Sequence, residues 1–333
     1  MEVFIGLLII LVAGFFQGSF VTPMSMTKKW AWENGWFTFS FLGMILLNGF
    51  LSFIFIPNLI DIYSSCSQTD LVILALFGLG WGCGSVLFGI GMDRLGLSLG
   101  YPVIMGLIAS LGAIIPLSIL SPADILSVKG GLLILSALIV LVGIVICAKA
   151  NSSKQGMSSN TGAKKSGGAL MIAVAAGILS CLPNVGASFG SVVTETAKMA
   201  GVSDLMAGNV VWALFYSVGF IPNAAYTLYL LAKNKTFGNF KHHITKNCFW
   251  ILLMSLMWIG SFYLYGSGAA KMGSWGLILG WPLFISLSIV VGNLWGYWRG
   301  EWKNANPQAK RMLNLGMLII IFAMIVMGVC NFF

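Results

Sequence analysis

Four carboxamides stand inside stretches that are otherwise almost wholly apolar: Gln17, Asn48, Asn184 and Asn223. A primary amide offers donors and acceptors without carrying charge, so such groups at comparable depth suit the hydroxyls of a neutral, polyhydroxylated ligand. Asn184 and Asn223 directly follow Pro183 and Pro222. A proline inside a helix removes one N–H and frees a carbonyl, which gives either a kinked polar wall facing a cavity or a kink satisfied by neighbouring helices. Trp81, Trp258, Tyr265 and Trp281 supply rings that can cover the flat C–H face of such a ligand. Trp and Tyr also gather at membrane interfaces, so anchoring and packing are the competing reading.

The same stretches hold nothing suited to covalent catalysis. No HExxH or GxSxG is present, and the only histidines, His242 and His243, are adjacent in a basic segment. The six cysteines are scattered singly without CxxC spacing, as packing residues are. The sequence therefore predicts no enzyme, no metal site and no cofactor.

The elements that must position these groups follow from composition. Of 333 residues, 58% are apolar and 8% charged, with a mean hydropathy of +0.94. A soluble domain carries about 25% charged residues, so this chain belongs in a lipid bilayer. One span needs about 20 apolar residues, which allows roughly ten. Reading apolar runs between polar breaks gives spans at 3–26, 36–57, 71–91, 98–120, 130–148, 169–193, 205–231, 247–267, 274–298 and 312–332. The first follows Met1-Glu2 without a basic leader, so it reads as a true span and not a cleaved signal peptide.

The net charge of +9 is an orientation device and not a nucleic-acid surface. Lys28 and Lys29, Arg94, four basic residues from Lys149 to Lys165, four from Lys233 to Lys246 and four from Arg299 to Arg311 fall in alternate connections. The other side holds only Lys129, Lys198 and Lys271. The positive-inside rule then makes the first set cytoplasmic and puts both termini outside. Trp30, Trp32, Trp298 and Trp302 flank basic loops and are expected as interfacial anchors.

The polar stretch 149–168 reads as a flexible cytoplasmic linker between residues 1–148 and 169–333, each with five spans. An odd number of spans per half forces the second half into the membrane upside down, the inverted-repeat architecture of many secondary transporters. A shift of 177 residues aligns Trp81 with Trp258, Phe88 with Tyr265, Gly89 with Gly266 and Arg94 with Lys271. Shifts of 180 and 185 align Gly100-Tyr101-Pro102 with Gly280-Trp281-Pro282, and Gly131 and Gly143 with Gly316 and Gly328. The FIPN repeated at Phe55 and Phe220 needs a shift of 165, breaks that register, and is discounted.

KKWAWE at Lys28 to Glu33, WGCGSVLFGIGMDRLGLSLG from Trp81 to Gly100, and EWKNA from Glu301 to Ala305 before a glycine-punctuated last span resemble the L-rhamnose/proton symporter family of the drug/metabolite transporter superfamily. The resemblance implies ten helices as two inverted five-helix repeats in a bacterial inner membrane, and uptake of a deoxy sugar with a proton, or with sodium, by a monomer or homodimer. No Asp, Glu or His lies mid-span, where a charge costs about 2.5–3.5 kcal/mol, so the coupling group is expected near a span end. Glu195, in ETAKMAGV at the outer end of span six, is the first candidate because the family shows a glutamate at this spacing before its GV pair. Glu33 and Asp93 follow it. The alternatives are an exporter or facilitator of another polar metabolite on the same scaffold, or a non-transporting sensor.

Overall fold

The computed structural model describes residues 1–154 and 167–329, without the side chains at positions 93, 96–99, 102, 152, 154 and 167. The predicted linker therefore lies largely outside the described residues, as does the Asp93 side chain. Among the described residues, ten helices are long and apolar enough to cross a bilayer: Glu2–Met26, Trp32–Phe55, Gln68–Met92, Val103–Leu120, Val128–Asn151, Gly168–Phe189, Asp204–Lys233, Ile244–Lys271, Gly273–Trp298 and Pro307–Val329. They coincide with the ten spans read from hydropathy, because in lipid only a helix can satisfy every backbone group internally.

Local irregularities fall where the sequence has reason for them. Spans 3 and 4 belong to one helical run, Gln68–Leu120, that folds back on itself. A Cβ on Gly100 would lie 3.3 Å from the Gly91 carbonyl, whereas nine residues span about 13.5 Å in a straight helix. Span 2 opens into a π-helical stretch, Phe41–Leu47, at mid-membrane. Span 6 breaks at Cys181 and restarts as Leu182–Phe189 with Pro183 in its first turn, where a missing N–H costs nothing. Pro222 sits inside the helix Val210–Lys233 of span 7.

The packing is unchanged when each span is exchanged for the one five further on. Span 1 lies against spans 8 and 9, and span 6 lies against spans 3 and 4; span 2 packs on span 8 and span 7 on span 3; spans 5 and 10 pair with each other. Because consecutive spans alternate in direction, spans five apart run oppositely, as two inverted repeats require. The register of the repeat is visible in detail. A Cβ on Gly43 would meet the Trp258 ring at 3.2 Å, and a Cβ on Gly219 would meet the Trp81 ring at 2.9 Å. Those tryptophans are the pair aligned by the 177-residue shift, and they stack on each other at 5.9 Å and 21°.

One expectation about the rim is corrected, and one contact is added. Trp302 is 2% exposed and stacks on Tyr297, so it packs within the protein instead of anchoring in lipid headgroups. Lys271 forms an ion pair with Glu2, tying the end of span 8 to the start of span 1.

Close crossings set the tolerance of this bundle. A Cβ on Gly78 would lie 2.2 Å from the Phe215 carbonyl oxygen, while Gly49 has open space around it. Gly78→Val should therefore lower the melting midpoint in detergent and the membrane yield, by about 1–3 kcal/mol of overpacking, and Gly49→Val should change neither. Equal melting of the two variants would refute the close approach of spans 3 and 7.

Candidate substrate-binding site

A cavity of about 480 Å³ lies between the halves, within the 300–1,000 Å³ range of small-molecule sites. Its back wall is the stacked pair Trp81 and Trp258, its sides include Trp36, Phe88 and Trp281, and its polar groups are Gln17, Ser85, Tyr101, Ser180 and Ser288. No Asp, Glu, Lys, Arg or His is among its described lining residues. Such a site can hold a neutral ligand by ring contact and hydrogen bonds, and gives a charged one nothing to offset its desolvation.

The cavity has one open end. It shares Gly18, Val21, Trp32 and Trp36 with an adjoining vestibule of about 590 Å³ that reaches Arg299 and Glu301, on the face carrying most of the basic residues. Trp32, expected as an interfacial anchor, therefore lines the path between cavity and vestibule. Toward the other face the way is filled with packed rings. Trp212 stacks on Tyr216 at 5.4 Å, Tyr216 meets Trp81 at 5.0 Å and Phe262 at 4.9 Å, and Tyr265 meets Phe284 at 5.1 Å. Beyond that seal a separate cavity of about 560 Å³ is lined by Trp212, Glu195, Lys198 and Asp204.

Of the eight side chains expected to bind substrate, Gln17, Trp81, Trp258 and Trp281 line the central cavity. Gln17 Oε1 accepts from Ser261 Oγ at 2.8 Å, which fixes the amide and leaves its N–H groups for a ligand. Trp281 donates Nε1–H to the Ile108 carbonyl at 2.9 Å and so holds one ring face in place. Asn48, Asn184, Asn223 and Tyr265 are fully buried behind the wall. Asn48 donates to the Trp212 carbonyl at 2.9 Å, joining spans 2 and 7. Asn184 donates to the carbonyls of Gly112 and Leu277 at 2.6 and 2.8 Å and accepts from the Tyr265 hydroxyl. Asn223 stands one layer back: its Oδ1 accepts from Trp36 Nε1 at 3.1 Å and from Ser85 Oγ at 2.8 Å, orienting two lining residues. In a medium without water each freed carbonyl and amide finds its partner in the protein, which explains why these amides are drawn between helices.

The carboxylates lie apart from the cavity. Glu195 is 63% exposed and pairs with Lys198 at 2.7 Å. Glu33 is 5% exposed and accepts from Thr236 Oγ1 at 2.7 Å and Asn234 Nδ2 at 3.0 Å, both at the basic end of span 7. Trp36 was not singled out from the sequence, though a signal for it exists. Trp36-x-x-Phe39-Ser40-x-x-Gly43 recurs as Trp212-x-x-Phe215-Tyr216-x-x-Gly219 at a shift of 176, one residue from the register of the Trp81 repeat.

Comparison with known proteins agrees with this geometry. The family described as L-rhamnose-proton symport protein matches residues 1–331. The chain belongs to that family. Among its relatives is the L-rhamnose-proton symporter of Escherichia coli strain 55989, 28% identical over 321 residues that cover 93% of each chain. The protein of the same name in Shigella boydii serotype 18 is equally similar, at 28% over 93% of each chain. Ten apolar spans and this membership make the chain a multi-pass membrane transporter of a symporter family.

Burial separates wall from lining experimentally. Asn184→Ala breaks contacts shared by spans 4, 6, 8 and 9 and should lower stability by about 2–3 kcal/mol, as loss of a buried, multiply bonded amide does. Gln17→Ala at the cavity surface should stay within about 1 kcal/mol of the parent. Thermal melting in detergent reads both, and a melting curve for Asn184→Ala that overlays the parent would contradict its structural place.

Proposed function

We propose that the chain is a secondary active symporter that takes up L-rhamnose, or a closely related deoxy sugar, together with a proton by alternating access in a bacterial inner membrane. One observation carries the reading: an uncharged, ring-walled cavity midway through the bundle, open to the basic face and sealed by packed aromatics toward the other. With basic loops inside and both termini outside, this is the inward-open state of the carrier. Residues 1–148 and 169–333 act as the two moving bodies, joined by the 149–168 connection. The relatives, L-rhamnose-proton symporters by name, favour rhamnose over another polar metabolite, and the cavity suits it. Trp81, Trp258 and Trp281 cover the apolar faces and methyl group, and Gln17 with Ser85, Ser180 and Ser288 bond the hydroxyls. Asn223 serves the site at one remove through Trp36 and Ser85.

Glu195 is our candidate for the coupling group: it lines the outer cavity and is exposed, which gives protons access from that face, and its pairing with Lys198 is the competing reading of a helix-end charge. The energetics are sufficient. Carrying one positive charge down about 100 mV releases roughly 2.3 kcal/mol, enough to concentrate a neutral sugar about fiftyfold.

An imposed inward proton gradient should drive accumulation of labelled L-rhamnose in right-side-out vesicles and collapse it on addition of a protonophore. Accumulation driven only by sodium, or outward-only transport, would refute the proposal. Trp258→Ala should raise the apparent binding constant about tenfold, the loss of one ring face, measured on the folded fraction because the ring is also packed; an unaltered constant would return the ring to packing alone. Glu195→Gln should abolish concentrative uptake and keep sugar exchange, and full accumulation in this variant would leave Glu195 a surface charge.

A further inference from the structure

The two copies of the Trp-x-x-Phe-(Ser/Tyr)-x-x-Gly pattern are held alike and stand in different states. Gly43 lies under Trp258 and Gly219 under Trp81, so each copy is seated by its last glycine on one member of the stacked pair. Around Trp212 the bundle is shut. Its Nε1–H donates at 3.0 Å to Asn209 Oδ1, three residues earlier, and the pair is pressed onto span 8, where a Cβ on Gly266 would lie 2.2 Å from that oxygen. Around Trp36 the bundle is open. The indole lines the cavity and donates across to Asn223 Oδ1 at 3.1 Å. Gly89, the repeat partner of Gly266, faces the cavity with no atom within 4 Å of a Cβ placed on it.

At the position three residues before Trp36, where the other copy has Asn209, stands Glu33. Its Oε1 takes the bonds from Thr236 and Asn234, and the only other donor reaching the carboxylate among the described residues is its own backbone N–H. We infer that Trp36 is the inner gate, and that closing it transfers the indole N–H from Asn223 to Glu33 Oε2 as the pair settles onto Gly89. The closed outer gate supplies the template: an indole bonded to the acceptor three residues before it, packed on the matching glycine of the neighbouring repeat span. Glu33 is then a positioning residue that latches the gate as an acceptor; Asn209 does the same work with a neutral amide.

This inference rests on the alternating-access reading, and the test separates the two. Met105 lines the cavity on span 4, and Met105→Cys can be labelled by an impermeant maleimide in oriented vesicles and read by peptide mass. In the otherwise unchanged chain, external L-rhamnose should make this thiol reactive from outside. If it never reacts from outside, the chain does not alternate, and the transport reading falls together with this one. Given alternation, Glu33→Leu should cut outside labelling about tenfold, the effect of losing one charge-assisted bond, with labelling in inside-out vesicles unchanged. Gly89→Val should do the same by blocking closure, and it folds because its Cβ meets open space in the present state. Glu33→Gln keeps an acceptor and should label from outside, and accumulate sugar, like the parent. Outside labelling undiminished in both Glu33→Leu and Gly89→Val overturns the gate. Loss of accumulation in Glu33→Gln overturns the latch and makes the charge itself the function.

Discussion

Trp81 and Trp258 lie ring against ring at the centre of the molecule, and the rest of the site is arranged around that contact. Each ring needs a glycine on the opposite repeat to come so close, which fixes Gly219 and Gly43 and with them the register of spans 7 and 2. The π-helical stretch around Gly43 makes room for the Trp258 edge, and irregular backbone of this kind in a membrane helix marks a functional position more often than a defect. The same two rings form the back wall of the cavity, so the packing that joins the halves and the surface offered to ligand are one structure. A bilayer gives helices no hydrophobic drive to associate, and close van der Waals contact of this sort is what remains.

Polar side chains do a different task on each side of that wall. Behind it, Asn48, Asn184 and Asn223 each bridge two or more spans through backbone carbonyls and hydroxyls, and none faces the cavity. In front of it, Gln17 and the serines carry the exposed hydrogen-bonding capacity. The division follows from desolvation. An amide that bonds carbonyls between helices replaces water completely, whereas one turned into a cavity keeps some of its groups for whatever enters.

Much of this was legible in the sequence, and the remainder shows where linear reading stops. Hydropathy located all ten spans because the bilayer dictates both helix and length. The 177-residue shift located the stacked tryptophans because inverted repeats preserve the residues that meet on their common axis. The FIPN repeat falls outside the register in which Gly219 and Gly43 each meet one of the stacked tryptophans, since that register sets Phe220 beside Met44 and not Phe55. Depth along a span was recoverable, but rotation about its axis was not, since an apolar helix surrounded by lipid and other helices has no amphipathic stripe to read. Hence Gln17 and Asn223, similar in type and depth, sit on opposite sides of the cavity wall.

The repeat also explains how one sequence can support two conformations of similar energy, and why the basic face is the open one here. At the shut gate, Trp212, Phe215 and Tyr216 are all buried, and Tyr216 closes on Trp81, Trp258 and Phe262. The equivalent closure at the other face would newly bury only Trp36, since Phe39 and Ser40 are already buried. It lacks one aromatic ring, whose burial contributes about 1.5–3 kcal/mol. The hydroxyls of Tyr216 and Ser40 both find no hydrogen-bond partner among the described residues, so the cost of about 1–3 kcal/mol for an orphaned buried hydroxyl is common to the two positions and the ring is the difference. A gap that small is within what differential binding of one sugar can reverse. The substitution of tyrosine for serine at a single repeat position thus favours one face without locking it.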